Sequence, residues 1–100
     1  MAKVTVKFVV KANVEKAYIV GNTSNLGEWN PKKAVLLNKE DGVFTTSKQF
    51  EENTNVEFKV LADKTFEAVE KGVYGEELEN RTFTATKGLK VEAEILSFAK

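Results

Sequence analysis

The residues best suited to chemistry lie in one turn-rich stretch around the single tryptophan of the chain. Trp29 lies between Gly27 and Pro31, and Pro31 is the only proline in the sequence. Gly27 permits a sharp bend, whereas Pro31 fixes its own φ and favours an extended conformation for the residue before it. The large flat ring therefore lies in a rigid turn. From the residues alone, it is either a platform presented at the surface or a plug in the core of a small β domain.

An exposed aromatic platform is suited to binding a sugar. A pyranose ring has an apolar C–H face and a rim of hydroxyl groups, so it pairs with an aromatic face and with nearby hydrogen-bonding groups. Lys59 lies on the outward face of an alternating strand pattern and offers donors, and Asn80 offers both donor and acceptor. Taken singly, Lys59 is more typical of a solvated charge, and Asn80 is more typical of a turn residue.

Catalytic and metal-binding chemistry has few suitable residues. The chain has no His and no Cys, which removes imidazole bases, thiol nucleophiles, disulfides and the usual zinc ligands. Carboxylates are plentiful, but those at 51–52 and 76–79 fall in predicted turns of a chain too small to enclose a sugar cleft. The turn carboxylates near Asp41 and Asp63 lack the spacing of a calcium loop. We therefore expect no catalytic residue, no metal and no cofactor.

Composition also limits the partners. The 100 residues include 15 Lys and Arg and 15 Asp and Glu, and this balance argues against an electrostatically driven nucleic-acid or membrane partner. No apolar segment approaches the length of a membrane span. The length and the 42% hydrophobic content predict one folded domain over residues 1–100. The absence of cysteine fits a reducing cytosol and a secreted bacterial module equally well.

Short strands are the elements that must position these residues. Apolar and polar residues alternate over 3–12, 43–50 and 56–62, and Leu61 shares the outward face of the last segment with Lys59. Residues 38–42 are predicted as a turn, in which Asp41-Gly42 is a strong hairpin signal. Further strands are predicted at 17–20, 34–37, 65–69, 81–85 and 89–98, with an irregular acidic loop at 70–79.

This pattern predicts an all-β fold, an antiparallel immunoglobulin-like β-sandwich of about seven or eight short strands. No helix longer than a turn or two is expected. Inward alternation predicts which side chains fill the hydrophobic core. The predicted core residues are Val4 or Phe8, Val20, Phe58, Val60, Phe83, Val91 and Ile95.

The tryptophan stretch also carries a family resemblance. The spacing Gly21-x4-Leu26-Gly27-x-Trp29-x-Pro31-x2-Ala34-x2-Leu37 resembles the signature of starch-binding domains, the family 20 carbohydrate-binding modules. Each matching piece is weakly specific, but their order and spacing along the 100 residues are together fairly specific. The other matching segments are Val4-Thr5-Val6, Tyr18-Ile19-Val20-Gly21, Val56-Glu57-Phe58-Lys59-Val60 and Asn80-Arg81-Thr82-Phe83-Thr84.

The resemblance implies one sugar site and places three of its residues. Starch-binding domains carry a site built on two tryptophans, a lysine and an asparagine. Trp29, Lys59 and Asn80 match the first tryptophan, the lysine and the asparagine by position. These three residues are therefore the expected carbohydrate-binding residues of this chain.

Two departures from the family pattern imply weak binding. Ala68 stands where the second tryptophan is expected, and Phe66 or Tyr74 is the candidate for a substitute platform because the loop before residue 80 is longer than in the family. The family's second site uses tyrosines and a tryptophan. Phe44 falls at that tryptophan but Asn13 falls at one of the tyrosines, so this second site is expected to be weak or lost, with Phe44 an ordinary strand residue.

The function implied by the resemblance is binding rather than catalysis. A non-catalytic module would recognise α-glucans (starch, glycogen, maltooligosaccharides or cyclodextrins) by aromatic stacking and would keep an amylolytic enzyme close to its polymer. We expect a monomer or a module of a larger enzyme. An extracellular location follows if that enzyme is secreted, and a cytoplasmic one is also compatible. The alternative, supported by the missing second tryptophan, is a protein–protein interaction or scaffold sandwich whose sugar site is weakened or lost.

Overall fold

The computed structural model describes residues 2–72, 74–95 and 97–98. Ten strands and three short 3-10 helices are assigned within these residues, and none of the helices is long and apolar enough to cross a membrane. The 3-10 helices are Ser24–Leu26, Pro31–Lys33 and Phe66–Ala68. The strands are β1 (Lys3–Lys11), β2 (Tyr18–Gly21), β3 (Val35–Leu36), β4 (Asn38–Glu40), β5 (Val43–Glu51), β6 (Asn55–Leu61), β7 (Glu70–Lys71), β8 (Arg81–Thr84), β9 (Lys90–Glu94) and β10 (Ser97–Phe98).

The strands form two four-stranded sheets and one two-stranded pair. The first sheet has the order β4-β5-β1-β9 and the second has the order β3-β2-β6-β8, while β7 pairs with β10. Neighbouring strands are antiparallel except for β1 and β9, which run parallel. The predicted all-β sandwich is therefore confirmed.

The core lies between the two four-stranded sheets. Strand β1 shows the alternation that builds it, because Val4, Val6, Phe8 and Val10 are buried whereas the intervening residues at 3, 5 and 7 are exposed. The ring of Phe8 lies edge-on to the rings of Phe50, Phe58 and Phe83, with centroid separations of 5.4–6.3 Å. These edge-to-face contacts join the two sheets.

A second, smaller apolar cluster covers the outer face of the β2–β6 sheet. Val20 and Leu61 belong to it, together with Tyr18 and Ala34, and all four are buried. The sequence pattern placed Leu61 on the outward face of β6, and it lies there, but this face is buried rather than exposed to solvent. Ala34, Trp29 and Val69 come from the two loops that pack over this face, so the outward side of β6 is covered here.

Several predicted boundaries are also wrong. Residues 38–40 form β4, and only Asp41-Gly42 makes the turn, with φ values of 48° and 83°. The segment 65–69 is a 3-10 turn capped by Thr65, whose hydroxyl accepts a hydrogen bond from the Glu67 amide, rather than a strand. Strand β7 follows inside the stretch predicted as irregular. The predicted strand 89–98 is divided into β9 and β10, because the chain leaves β1 to pair with β7.

Candidate functional site

The loop that carries Trp29 is fixed to the end of β2 by backbone hydrogen bonds. The Trp29 amide donates to the Gly21 carbonyl at 2.8 Å, and the Glu28 amide donates to the Thr23 carbonyl at 3.0 Å. Gly27, Glu28 and Trp29 all have left-handed backbone conformations, with φ of 85°, 49° and 63°. Three successive left-handed residues reverse the chain tightly, so the position of the indole is set by the backbone.

Trp29 is half-buried, so neither of the two sequence-based alternatives describes it fully. Its side chain packs, with Val69, against the second apolar cluster, and it also lines an open pocket of about 500 Å³. The ring is therefore supported from below by the cluster and accessible from the pocket. This is the environment of a fixed aromatic platform.

The pocket gathers the three residues expected to bind sugar. Trp29 lies in the loop after β2, Lys59 lies in β6, and Asn80 directly precedes β8. All three line the same pocket. Its remaining lining residues are Phe66, Val69, Lys71 and Glu77. Residues far apart in the sequence thus meet on one face of the sandwich.

The two polar groups are held in place but retain hydrogen-bonding capacity. The Lys59 ammonium donates to the Leu78 carbonyl at 2.8 Å, which uses one of its three N–H groups. The exposed Asn80 amide donates from Nδ2 to Glu57 Oε1 at 3.2 Å, which uses one of its four hydrogen-bonding positions. Both side chains are therefore oriented by the protein and can form further hydrogen bonds to hydroxyl groups.

The two candidates for a substitute platform differ in position. Phe66 is 41% exposed and lines the pocket with Trp29, whereas Tyr74 is 90% exposed and is not among the lining residues. Ala68, which stands in place of the second tryptophan, is buried and leaves no aromatic face at that position. Phe66 is thus the second aromatic ring at this site.

Phe44, the candidate for a second weak site, lies in the hydrophobic core. Its side chain is 1% exposed, and the Lys39 ammonium lies 5.7 Å from its ring centroid. A ring buried in this way has no face for a sugar, so its assignment to a second site is corrected here. The other interpretation made from the sequence, that of an ordinary strand residue, describes its position.

Sequence reasoning missed two charged residues of the pocket. Lys71 Nζ and Glu77 Oε1 lie 3.6 Å apart, and the side chains are 18% and 90% exposed. Both belong to the stretch read as an irregular acidic loop, where no periodicity assigns a face. The isolated bridge between positions 71 and 77 brings them together, and this pairing has no signal in the sequence.

Comparison with known proteins decides the family. A family model described as the starch binding domain matches residues 2–95. The chain belongs to the starch binding domain family. This confirms the resemblance drawn from the tryptophan stretch. No curated protein sequence gives a significant match.

Solved structures of the same architecture extend this comparison. The family 20 carbohydrate-binding module of the maltotetraose-forming amylase from Pseudomonas saccharophila STB07 is 28% identical, with a TM-score of 0.72 over 92% of this chain and 100% of that chain. The family 15 glucoamylase from Hypocrea jecorina is 20% identical, with a TM-score of 0.73 over 95% of this chain and 17% of that chain. The γ-CGTase from alkalophilic Bacillus clarkii is 24% identical, with a TM-score of 0.65 over 93% of this chain and 15% of that chain. The chain thus spans about a sixth of the glucoamylase and of the γ-CGTase, and these two similarities show the fold alone.

Proposed function

We propose that this starch binding domain is a non-catalytic module that binds α-glucans in the Trp29 pocket. The observation that carries the proposal is the convergence of Trp29, Lys59 and Asn80, three residues distant in sequence, on one open pocket. An aromatic platform and oriented polar groups are the two components that a pyranose face and its hydroxyl rim require.

The pocket suggests how the sugar is held. One glucose residue stacks on the indole of Trp29, and the Lys59 ammonium and the Asn80 amide donate to its hydroxyl groups. Phe66 contacts the neighbouring glucose residue from the side, in place of the second tryptophan. Because Phe66 is smaller than tryptophan, we expect weak binding, with dissociation constants of roughly 10 μM to 1 mM.

We further propose that the module serves an attached or associated amylolytic enzyme. Two features support this role. The structural match to the family 20 module of an amylase covers 100% of that module. The glucoamylase and the γ-CGTase each contain a region of the same fold. Residues 1–100 would act as a single binding domain that keeps the enzyme close to polymer and so raises its effective concentration. Such an enzyme would be secreted, which would place the module outside the cell.

The test is a titration with β-cyclodextrin or maltoheptaose followed by tryptophan fluorescence. Since Trp29 is the only tryptophan, sugar binding should change its emission directly. Calorimetry should show that Trp29→Ala abolishes binding and that Phe66→Ala weakens it several-fold. Both variants should remain folded, because Trp29 is half-buried and Phe66 is 41% exposed.

Tyr74→Ala is the matched control, because this aromatic residue is 90% exposed and lies outside the pocket lining. Its affinity should equal that of the unsubstituted protein. Trp29 emission that does not change on addition of either sugar would contradict the proposal. Equal loss of binding in the Trp29 and Tyr74 variants would show that the pocket is not the sugar-binding site.

A further inference from the structure

A buried carboxylate lies at the junction of the strands that form the pocket. Glu70 is 1% exposed and is the one charged residue classed as buried in the described part of the chain. Its carboxylate accepts the Arg81 Nε–H at 2.9 and 3.0 Å, and its Oε1 lies 2.8 Å from Arg81 Nη2. Oε2 also accepts the backbone amide of Val60 at 2.8 Å. Glu70 therefore joins β6, β7 and β8 through one side chain.

The carboxylate fills a gap in strand pairing. The register of β6 against β8 ends at the pair Phe58↔Arg81, and directly after β6 the Ala62 amide donates to the Ala68 carbonyl. The Val60 amide lies between these two positions and donates to Glu70 instead of to a neighbouring strand. The side chain thus takes the place of a backbone acceptor where β8 no longer accompanies β6.

Glu70, Val60 and Arg81 form a hydrogen-bonded network, called here the Glu70 network. Each of its residues adjoins a polar residue of the pocket. Val60 follows Lys59, Glu70 precedes Lys71, and Arg81 follows Asn80. The pocket lining contains Lys59, Lys71 and Asn80, whereas it contains no residue of the buried network. Lys59 and Asn80 each lie one residue beyond Phe58↔Arg81, the last pair of β6 with β8, so they stand where the pairing of these two strands ends.

We propose that Glu70 is a positioning residue for the sugar site. Its carboxylate fixes β6 relative to β8, and through Val60 and Arg81 it sets the spacing of Lys59 and Asn80. The inference rests on the proposed function, since it assigns the network to the same glucan site. Stability alone does not require a buried ion pair, because packed apolar residues of similar volume often stabilise a protein equally well or better.

Glu70→Gln is the main test, because the amide keeps the shape and one acceptor but loses the charge. Calorimetric titration with maltoheptaose should show a dissociation constant raised at least about tenfold. Glu92→Gln makes the same chemical change at an exposed position, and Val6→Ala weakens the core of the other sheet without contacting the pocket. Both controls should bind within about twofold of the unsubstituted protein. All titrations are run at a temperature at which circular dichroism shows each variant folded.

If Glu70→Gln does not fold, Arg81→Lys is the test variant in its place. Lysine keeps the charge but loses the planar fork that binds both carboxylate oxygens. Its dissociation constant should rise by about threefold or more. Unchanged affinity in whichever of the two variants is folded would overturn the positioning role. Equal weakening in the Val6→Ala control would also overturn it, because the effect would then be one of general stability.

A measurement without sugar separates this inference from the proposed function. In the amide NMR spectrum, the folded variant should shift the Lys59 and Asn80 resonances and speed hydrogen exchange at Val60, whereas Glu92→Gln should do neither. If the unsubstituted protein binds no maltoheptaose, the proposed function fails. The NMR signals alone then test whether Glu70 sets the positions of Lys59 and Asn80. Unchanged resonances and exchange would then overturn the positioning role.

Discussion

At the scale of single residues, the proposed sugar platform, Trp29, depends on an unfavourable backbone conformation. Glu28 and Trp29 are non-glycine residues with φ of 49° and 63°. A left-handed conformation costs an L-residue with a Cβ roughly 1–2 kcal/mol. The hydrogen bonds to the carbonyls of Gly21 and Thr23 offset this cost and hold the turn. The backbone of the loop thus sets the orientation of the indole.

Replacement of Glu28 should reveal this strain. Asparagine adopts the left-handed region more readily than glutamate, so Glu28→Asn should raise the free energy of unfolding by about 0.5–1 kcal/mol. Urea denaturation measures this change. Glu52→Asn is the control, because Glu52 is also an exposed turn residue but is not among the residues with positive φ. A Glu28→Asn protein no more stable than the control would show that the turn carries no strain.

At the scale of elements, the close approach of β2 and β6 fixes the entry to the loop. A Cβ at Gly21 would overlap the Glu57 carbonyl oxygen and lie 2.8 Å from Leu26 Cδ1. The Gly21 carbonyl also accepts the Trp29 amide. The same glycine therefore allows the two strands to pair closely and anchors the loop that carries the platform.

Gly21→Ala should damage both properties. We expect the free energy of unfolding to fall by about 2–3 kcal/mol, because the added methyl group meets backbone, and sugar affinity to fall as well. Gly88→Ala is the control, since that glycine has φ of 74° and no atom within 4 Å of the added Cβ. It should lose about 1 kcal/mol from backbone conformation and keep its affinity. Chemical denaturation and calorimetry measure the two quantities, and unchanged affinity in Gly21→Ala would contradict the proposed anchoring.

At the scale of the whole molecule, the pocket lies on a sandwich whose two sheets are joined by aromatic packing. Phe8 and Phe50 belong to the first sheet, and Phe58 and Phe83 belong to the second. Their rings lie edge-on to one another, with Phe50 and Phe83 separated by 5.8 Å. The pocket residue Lys59 follows Phe58 directly, so packing of the core also fixes one side of the site.

Truncation of two phenylalanines should separate the core from the site. Phe58 is 1% exposed, so Phe58→Ala should lower the free energy of unfolding by about 3–5 kcal/mol. Phe66 is 41% exposed, so Phe66→Ala should lower it by less than about 1 kcal/mol. Denaturant unfolding checks both values. Similar losses in the two variants would mean that the inward face of β6 is assigned wrongly.

The sequence by itself predicted much of the sandwich because strand alternation is a local property. The inward positions of β1 and β6 and the Asp41-Gly42 turn follow from neighbouring residues, and the structure has them in those places. Short elements were less predictable. Two-residue strands such as β7 and β10 form because a partner strand is available, and no periodicity can appear over two residues.

The candidate site, like the fold, was predictable from the sequence only in part. The residue types and spacing around Trp29, with the family resemblance, identified Trp29, Lys59 and Asn80 as the residues to bring together. Only the tertiary structure showed that Phe66 shares their pocket, that Leu61 is covered and that Phe44 is buried. The exposure of a side chain depends on which distant segments pack over it. The Glu70 network has the same origin, since a buried carboxylate needs partners that the fold brings from 10 and 11 residues away.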